Sequence, residues 1–183
     1  MVRVFVSLDI EDNNIVNRVS EIQRRMVETR ADLKLVDTKI LHVTLFFIGE
    51  VHEGMINELC RVLSRVEGHP LEIEIRGLGA FPTVSQPRVV FAKINKGADK
   101  IVDRAGRVSE ALSSLGLRMS EEFSPHVTLA RVRSRIGVDK LIMFIKDNSD
   151  ILIGETVTSR LRLKKSTLTP RGPIYETLWE KID

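Results

Sequence analysis

Apolar residues recur along the chain with two different periods, and the period indicates which secondary structure each segment forms. Every second residue is apolar over residues 3–10, which predicts a strand because successive side chains of a strand point to opposite faces. Apolar residues recur every three or four positions over residues 12–30, which predicts a helix. The same reasoning predicts strands at 33–36, 41–48, 71–76, 88–94, 126–132, 151–157, 159–163 and 175–182, and helices at 53–66, 99–115 and 138–146.

The order of the predicted elements indicates two similar halves. The first half reads strand, helix, two strands, helix, strand, and the second half repeats this order loosely. A glycine-rich stretch at 77–82 breaks the alternation and is expected to end the strand that begins at Leu71. No linker rich in Ser, Gly or Pro separates the halves, so residues 1–183 are expected to form a single domain with two lobes.

One tetrapeptide occurs twice. The sequence His-Val-Thr-Leu begins at His42 and again at His126. In each copy the His and the Thr, which is Thr44 or Thr128, fall on one face of a predicted strand, while the Val and Leu point into the core. Two identical tetrads, which together hold two of the four histidines of the chain, favour a shared function over coincidence.

Paired imidazoles on rigid strands can divide acid–base chemistry, one donating a proton and the other accepting one. The ordinary pKa of histidine, about 6.5, suits both roles near neutral pH. We expect the pKa values of His42 and His126 to be shifted in opposite directions, so that one ring is neutral and the other charged. The hydroxyls of Thr44 and Thr128 can hydrogen-bond an anion held between the rings.

Other kinds of site fit the sequence less well. Imidazoles also bind zinc, but no HExxH, CxxC or Asp-x-Asp pattern supplies further ligands, so no metal and no cofactor is expected. A catalytic nucleophile is not indicated, because no G-x-S-x-G motif is present and Cys60 falls on the apolar face of a predicted helix. No G-x-x-x-x-G-K-[ST] loop is present either. His52 and His69 lie in predicted loops and are interpreted as solvated surface groups.

Composition and charge narrow the class of protein only slightly. The formal net charge of +3 and the pI of about 9.2 suit a polyanionic partner without proving one. No window approaches the roughly 18 consecutive apolar residues of a membrane-spanning helix, and the first residues lack the pattern of a signal peptide. We therefore expect a cytoplasmic protein that does not contact membranes.

The paired HxTx motifs resemble those of the 2H phosphoesterase superfamily. The segments HVTLFFIGEV, GLGAFP, PRVVFA and FSPHVTLARVR resemble its branch of RNA 2',3'-cyclic phosphodiesterases, also called 2'-5' RNA ligases. The likeness extends from RVFVSLDI near one end to STLTPRGPIYETL near the other. It implies a bilobal α+β fold, in which two pseudo-symmetric lobes of antiparallel sheet with outer helices surround a central groove.

The resemblance also implies roles for five residues. His42 becomes the proton donor and His126 the proton acceptor, with Thr44 and Thr128 as the accompanying hydroxyls. Arg131 falls where this branch has an arginine that helps to hold the phosphate. Strict alternation places Arg131 on the face opposite His126, so a twist, a bulge or its long side chain must bring it round.

Two positions depart from the usual pattern of the branch. Phe46, which alternation places on the face of His42, stands where a basic side chain is common. Leu35 stands where an aromatic residue often follows a lysine such as Lys34. Phe46 is open to two interpretations, stacking on a nucleobase or packing in the core.

The expected activity is hydrolysis of RNA 2',3'-cyclic phosphate ends to 2'-phosphates without a metal. Fragments of tRNA are one candidate substrate, and the protein is expected to act as a monomer. The reverse reaction, 2'-5' RNA ligation, is expected to be accessible at the same site. Two alternatives stay open: a module that binds RNA ends or cyclic nucleotides without turnover, and a 2H phosphodiesterase that acts on another small phosphodiester.

Overall fold

The computed structural model describes residues 1–119, 122–170 and 172–183, and within them the chain forms nine strands and four helices. The strands are β1 (Val2–Asp9), β2 (Leu33–Leu35), β3 (His42–Val51), β4 (Leu71–Thr83), β5 (Gln86–Ile94), β6 (His126–Val132), β7 (Leu152–Thr158), β8 (Arg160–Thr169) and β9 (Gly172–Ile182). The helices are α1 (Asn13–Val27), α2 (Ile56–Leu63), α3 (Ala98–Ser113) and α4 (Val138–Asp147). Among the described residues no helix is long and apolar enough to cross a membrane.

The strands form two antiparallel sheets. The first sheet has the order β3-β1-β8-β9, and the second has the order β2-β6-β5-β4-β7. Helix α1 follows β1 of the first sheet but packs against β6 and β7 of the second. Helix α3 follows β5 of the second sheet and packs mainly against β3 of the first, with a smaller contact to β4. The two halves are therefore interlocked by their helices, and the bilobal α+β fold expected from the sequence is confirmed.

The core anchors both histidine-bearing strands. Val43 and Leu45 of β3 are 0% and 1% exposed, and Val127 and Leu129 of β6 are 1% and 0% exposed. Burying an aliphatic side chain of this size stabilises the fold by about 1.5–3 kcal/mol. Each His-Val-Thr-Leu segment is therefore held in place from its apolar side, which leaves the His and Thr on the opposite face.

Helix α1 begins and packs as its sequence predicts. The carboxylate of Asp12 accepts hydrogen bonds from the backbone N–H groups of Asn14 and Ile15, which caps the first turn. The buried face of the helix consists of Ile15, Val19, Ile22, Gln23 and Met26. Four of these five residues are apolar and recur with the helical period.

The expectation that residues 77–82 end a strand is wrong. Strand β4 continues to Thr83, with an irregular register between Ile75 and Leu78. Gly77 has a φ of +82°, which a residue with a side chain rarely adopts. A Cβ atom at Gly79 would lie 2.7 Å from Cζ of Phe91 on the neighbouring strand. The glycines therefore permit a bend and a close approach inside the strand, rather than a turn that ends it.

Candidate active site where the two sheets meet

His42 and His126 occupy the first positions of β3 and β6, and these two strands contact each other where the sheets meet. We call the face of each sheet that carries His42 or His126 its histidine face. Both imidazoles are partly exposed. The two strands that carry the tetrads are therefore in direct contact.

The two imidazoles are oriented by the same device. Nδ1 of His42 lies 2.8 Å from the backbone oxygen of Ile40, and Nδ1 of His126 lies 2.7 Å from that of Ser124. A carbonyl oxygen only accepts hydrogen bonds, so Nδ1 carries the hydrogen in each ring. The other nitrogen, Nε2, is thereby left to give or take a proton.

Aromatic rings pack against each histidine. Phe5 and Tyr175 lie with their ring centroids 5.2 and 5.4 Å from that of His42. The ring centroids of Phe81 and Phe91 are 4.9 and 5.2 Å from that of His126. These contacts restrict the orientation of each imidazole and remove water from one side of it.

The expectation that the two imidazole pKa values shift in opposite directions is wrong for the protein without substrate. Burial lowers the pKa of His42, and the charges of Lys164 and His126 lower it further. The hydrogen bond to Ile40 and the charge of Asp9 act the other way without outweighing burial. Burial also lowers the pKa of His126, as does the charge of Arg131, although the bond to Ser124 opposes them.

Thr44 and Thr128 share the histidine faces, as predicted. Each lies two residues after its histidine on the same strand, and each is partly exposed. In the sheets, Thr44 lies opposite Ser7 of β1 and Thr128 lies opposite Phe91 of β5. Each hydroxyl is therefore on the same side of its sheet as the neighbouring imidazole.

A bulge in β6 brings Arg131 to the histidine face. Thr128 pairs with Phe91 and Ala130 pairs with Val90, so Leu129 between them has no opposite residue on β5. Leu129 and Ala130 are both buried, and the alternation of faces resumes one residue later. Strict alternation does not hold here, and of the three ways named for Arg131 to reach this face, it is the bulge that brings it there. Arg131 is exposed on the same side as His126 and Thr128.

The matching bulge in β3 settles the two interpretations of Phe46. Thr44 pairs with Ser7 and Phe46 pairs with Val6, so Leu45 is the unpaired residue. Phe46 is 2% exposed and belongs to the core, which excludes stacking on a base.

The residue that reaches the histidine face instead of Phe46 is Phe47. It is 52% exposed, and the guanidinium carbon of Arg3 lies 4.8 Å from its ring centroid. Phe47 stands five residues after His42, as Arg131 stands five after His126. Sequence reasoning missed Phe47, because Leu45, Phe46 and Phe47 are all apolar and their order alone does not show which of them leaves the core.

Strand β2 lies beside Arg131 at the edge of the second sheet. Lys34 pairs with Arg131 and shares its face, whereas Leu35 pairs with the buried Ala130 and lies on the other face. Because of this pairing, the 40% exposed side chain of Leu35 lies off the histidine face.

A buried charge network adjoins His42, and sequence reasoning missed it. Asp9 lies opposite His42 in the sheet and accepts hydrogen bonds from Lys164 and Arg162 of β8. Burial raises the pKa of Asp9, but the hydrogen bonds and charges of these two cations outweigh it and hold the pKa below its ordinary value. The alternating cations Arg160, Arg162 and Lys164 were the signal in the sequence.

The other two histidines and the cysteine lie in the surroundings that the sequence predicts. His52 and His69 are exposed and lie outside the histidine faces, and Cys60 packs against the core at its edge. Within residues 1–119, 122–170 and 172–183, no three His, Cys, Asp or Glu side chains are grouped closely enough to hold a metal ion.

Two interlocked antiparallel sheets, each with an imidazole held through Nδ1, define an α+β class of proteins with paired HxTx motifs. Comparison with known proteins identifies the family. A family model described as the AKAP7 2'5' RNA ligase-like domain matches residues 4–165. The chain belongs to this family, which is part of the 2H phosphoesterase superfamily.

Relatives in other organisms match over nearly their whole length. A protein of Aeropyrum pernix named RNA 2',3'-cyclic phosphodiesterase is 36% identical over 167 residues, which cover 91% of this chain and 95% of that protein. A protein of Methanocaldococcus jannaschii with the same name is 33% identical and covers 97% of this chain and 99% of its own length.

Solved structures share the fold. The crystal structure of TT0787 of Thermus thermophilus superposes with a TM-score of 0.78 at 27% identity and covers 98% of this chain and 97% of that one. The apo form of Escherichia coli LigT superposes with a TM-score of 0.79 over 99% and 96% of the two chains. At 17% identity, LigT supports the fold alone.

Proposed function

We propose that the protein hydrolyses RNA ends that carry a 2',3'-cyclic phosphate to 2'-phosphates, without a metal. The observation that carries the proposal is the matched pair of imidazoles, each with Nδ1 tied to a backbone carbonyl and Nε2 left for proton exchange. The relatives named RNA 2',3'-cyclic phosphodiesterase support the choice of substrate.

In this mechanism the two histidines act on opposite sides of the phosphorus atom. Nε2 of neutral His126 accepts a proton from the attacking water as its oxygen bonds to phosphorus. The bond from phosphorus to the 3' oxygen breaks, and Nε2 of charged His42 donates a proton to that oxygen. The products are a free 3'-hydroxyl and a 2'-phosphate, and the two rings exchange protonation states in the process.

The groups around the two rings act on their pKa values in different ways. Burial and the charges of Lys164 and His126 lower the pKa of His42, whereas the hydrogen bond to Ile40 and the carboxylate of Asp9 raise it without restoring its ordinary value. At His126, burial and the charge of Arg131 lower the pKa, which favours the neutral form that an acceptor needs. A bound phosphodiester adds a negative charge between the rings, which raises the pKa of His42 toward the charged form that a proton donor needs.

Thr44, Thr128 and Arg131 are proposed to bind the non-bridging phosphate oxygens. The hydroxyls donate neutral hydrogen bonds, and the guanidinium donates charge-assisted ones. Their common position on the histidine faces supports this role.

The exposed ring of Phe47 and the side chain of Lys34 suit an RNA strand, since single-stranded RNA is bound through stacking and phosphate contacts.

Ligation is proposed at the same site. The 5'-hydroxyl of a second RNA takes the place of the attacking water, the 3' oxygen leaves, and a 2'-5' linkage forms at the same phosphorus; cleavage of that linkage is the reverse. The cytoplasmic location, the monomeric state and tRNA fragments as substrates stay predictions.

The test is turnover of a short RNA with a 2',3'-cyclic phosphate end in the presence of a chelator. The product expected is the 2'-phosphate, and His42→Ala and His126→Ala are each expected to lose about 10²-fold or more of the turnover. His69→Ala, which removes an exposed imidazole outside the site, is the matched control and should keep full activity.

Three results would count against the proposal. Full activity of either catalytic variant would exclude the two-imidazole mechanism. Binding of the RNA without product would indicate a binding module, and turnover of other small phosphodiesters alone would indicate a different 2H substrate.

A further inference from the structure

Gln23 is the polar member of the otherwise apolar buried face of α1. It is 5% exposed. A buried amide destabilises the fold unless its polar atoms form hydrogen bonds. The partners of Gln23 therefore indicate why an amide occupies this position.

The amide nitrogen of Gln23 joins two backbone segments that are distant in sequence. Nε2 donates to the carbonyl oxygen of Val36 at 2.7 Å and to that of Leu129 at 3.0 Å. Both partners only accept hydrogen bonds, so the nitrogen, and not the oxygen, of the amide faces them. Val36 directly follows β2, and Leu129 is the unpaired residue of the β6 bulge.

The carbonyl of Leu129 receives a second hydrogen bond from the same region. The backbone N–H of Val36 donates to it at 2.9 Å. A bulge interrupts the ladder of strand hydrogen bonds and leaves its extra residue without a partner on the bulged side. The Leu129 carbonyl faces the other edge of β6, toward the end of β2, where Gln23 and Val36 together hold the peptide unit of the bulge in place.

That peptide unit determines where Arg131 points. Without the extra residue, Arg131 would lie on the face opposite His126; with it, Arg131 shares the face of His126 and lies beside Lys34. We infer that Gln23 is a positioning residue, which clamps Val36 to Leu129 and so holds Arg131 on the histidine face. The consequence for catalysis rests on the proposed function, in which Arg131 binds the phosphate.

The test compares Gln23→Met with the wild type. Methionine has similar length and no donor, so the clamp is lost while the buried volume is kept. We expect kcat/KM for the cyclic-phosphate RNA to fall about 10-fold, because small displacements of a positioned group cost up to about 10²-fold in rate. Thr29→Val is the matched control, because it removes another buried hydrogen bond at the end of the same helix, from Oγ1 of Thr29 to the backbone oxygen of Met26 at 2.7 Å. This variant should keep kcat/KM within about 2-fold of the wild type.

A double-mutant cycle separates positioning from general destabilisation. If Gln23 acts through Arg131, then Gln23→Met should cause no further loss in an Arg131→Ala background. Equal losses in both backgrounds would overturn the inference, as would wild-type kcat/KM in Gln23→Met. If Gln23→Met does not fold, Gln23→Asn serves in the same cycle, because its amide is one methylene shorter and cannot bridge both carbonyls.

A measurement without substrate keeps the inference distinct from the proposed function. The NMR backbone amide shifts of Ala130 and Arg131 should change in Gln23→Met and stay as in the wild type in Thr29→Val. Unchanged shifts would refute the clamp, whatever the activity. Absence of turnover in the wild type, with changed shifts in the variant, would refute the proposed function alone.

Discussion

The two histidines share the same kind of support and differ in the charges around them. Both use Nδ1 to hydrogen-bond the carbonyl two residues earlier, and both pack against two aromatic rings. Asp9 and Lys164 adjoin His42, whereas Arg131 adjoins His126. Because the neighbouring charges are unequal, two histidines in similar settings can serve as proton donor and proton acceptor in the proposed mechanism.

The pKa directions predict how the rate depends on pH. Burial lowers the pKa of both imidazoles in the free protein, and the anionic substrate raises that of His42 in the complex. The profile of kcat/KM reports the free enzyme and that of kcat reports the complex. The basic limb of kcat, which reflects loss of the proton from His42, should therefore lie at higher pH than the basic limb of kcat/KM. Coincident limbs, or the reverse order, would contradict this assignment.

Phe47 provides a second prediction at this scale. Its ring is exposed on the histidine face, and stacking of a base on an aromatic ring contributes about 1–3 kcal/mol. Phe47→Ala should therefore raise KM roughly 5- to 100-fold for a cyclic-phosphate RNA. With an abasic terminal nucleotide the same substitution should change KM little. An equal rise with both substrates would exclude base stacking by Phe47.

At the scale of elements, strands β3 and β6 each combine a regular half with a bulge. The regular half puts His and Thr on one face, and the bulge after Thr turns the residue five positions beyond His to that face. One strand thereby presents Phe47 and the other presents Arg131. The same backbone device gives the site one aromatic and one cationic side chain.

The periodicity of apolar residues predicted the regular stretches of the strands, but it could not predict the bulges within them. Strand β6 begins and ends where the alternation does, at His126 and Val132. Bulges arise from pairing with a neighbouring strand, and a single strand carries no record of its partner. Alternation alone therefore put Phe46 on the wrong face and left open how Arg131 reaches the histidine face. The glycines of β4 were misinterpreted for the same reason, since the approach of Phe91 is a tertiary contact.

That contact yields a prediction about β4. A Cβ atom at Gly79 would displace the ring of Phe91, which packs against His126. Gly79→Ala should therefore lower kcat by about 10-fold through misplacement of the imidazole. Gly106→Ala in α3 is the matched control, because no atom lies within 4 Å of its added Cβ and its activity should be unchanged. Wild-type kcat in Gly79→Ala would show that the ring contact does not position His126.

At the scale of the molecule, two lobes share their helices and their core. Helix α1 leaves the first sheet to pack on the second, and α3 does the opposite. The core cluster contains residues of both sheets, such as Val4 and Leu129. The shared core and the interlocked helices hold β3 and β6 in contact, as the proposed two-histidine site needs.

The shared core predicts that both lobes unfold together, as a single domain. Far-UV circular dichroism reports both sheets, whereas the fluorescence of the single tryptophan, Trp179 on β9, reports the first sheet. The two denaturation curves should coincide, as in a two-state transition. Separate midpoints would indicate two lobes that fold independently.

Whether both imidazoles serve one phosphate can be seen in a crystal structure with a 2'-phosphorylated nucleotide bound. Nε2 of His42 and Nε2 of His126 should each lie within hydrogen-bond reach, about 2.6–3.2 Å, of oxygens on the same phosphorus atom. The hydroxyls of Thr44 and Thr128 should contact its non-bridging oxygens. A phosphate bound by one histidine alone, or away from both, would contradict the proposed mechanism.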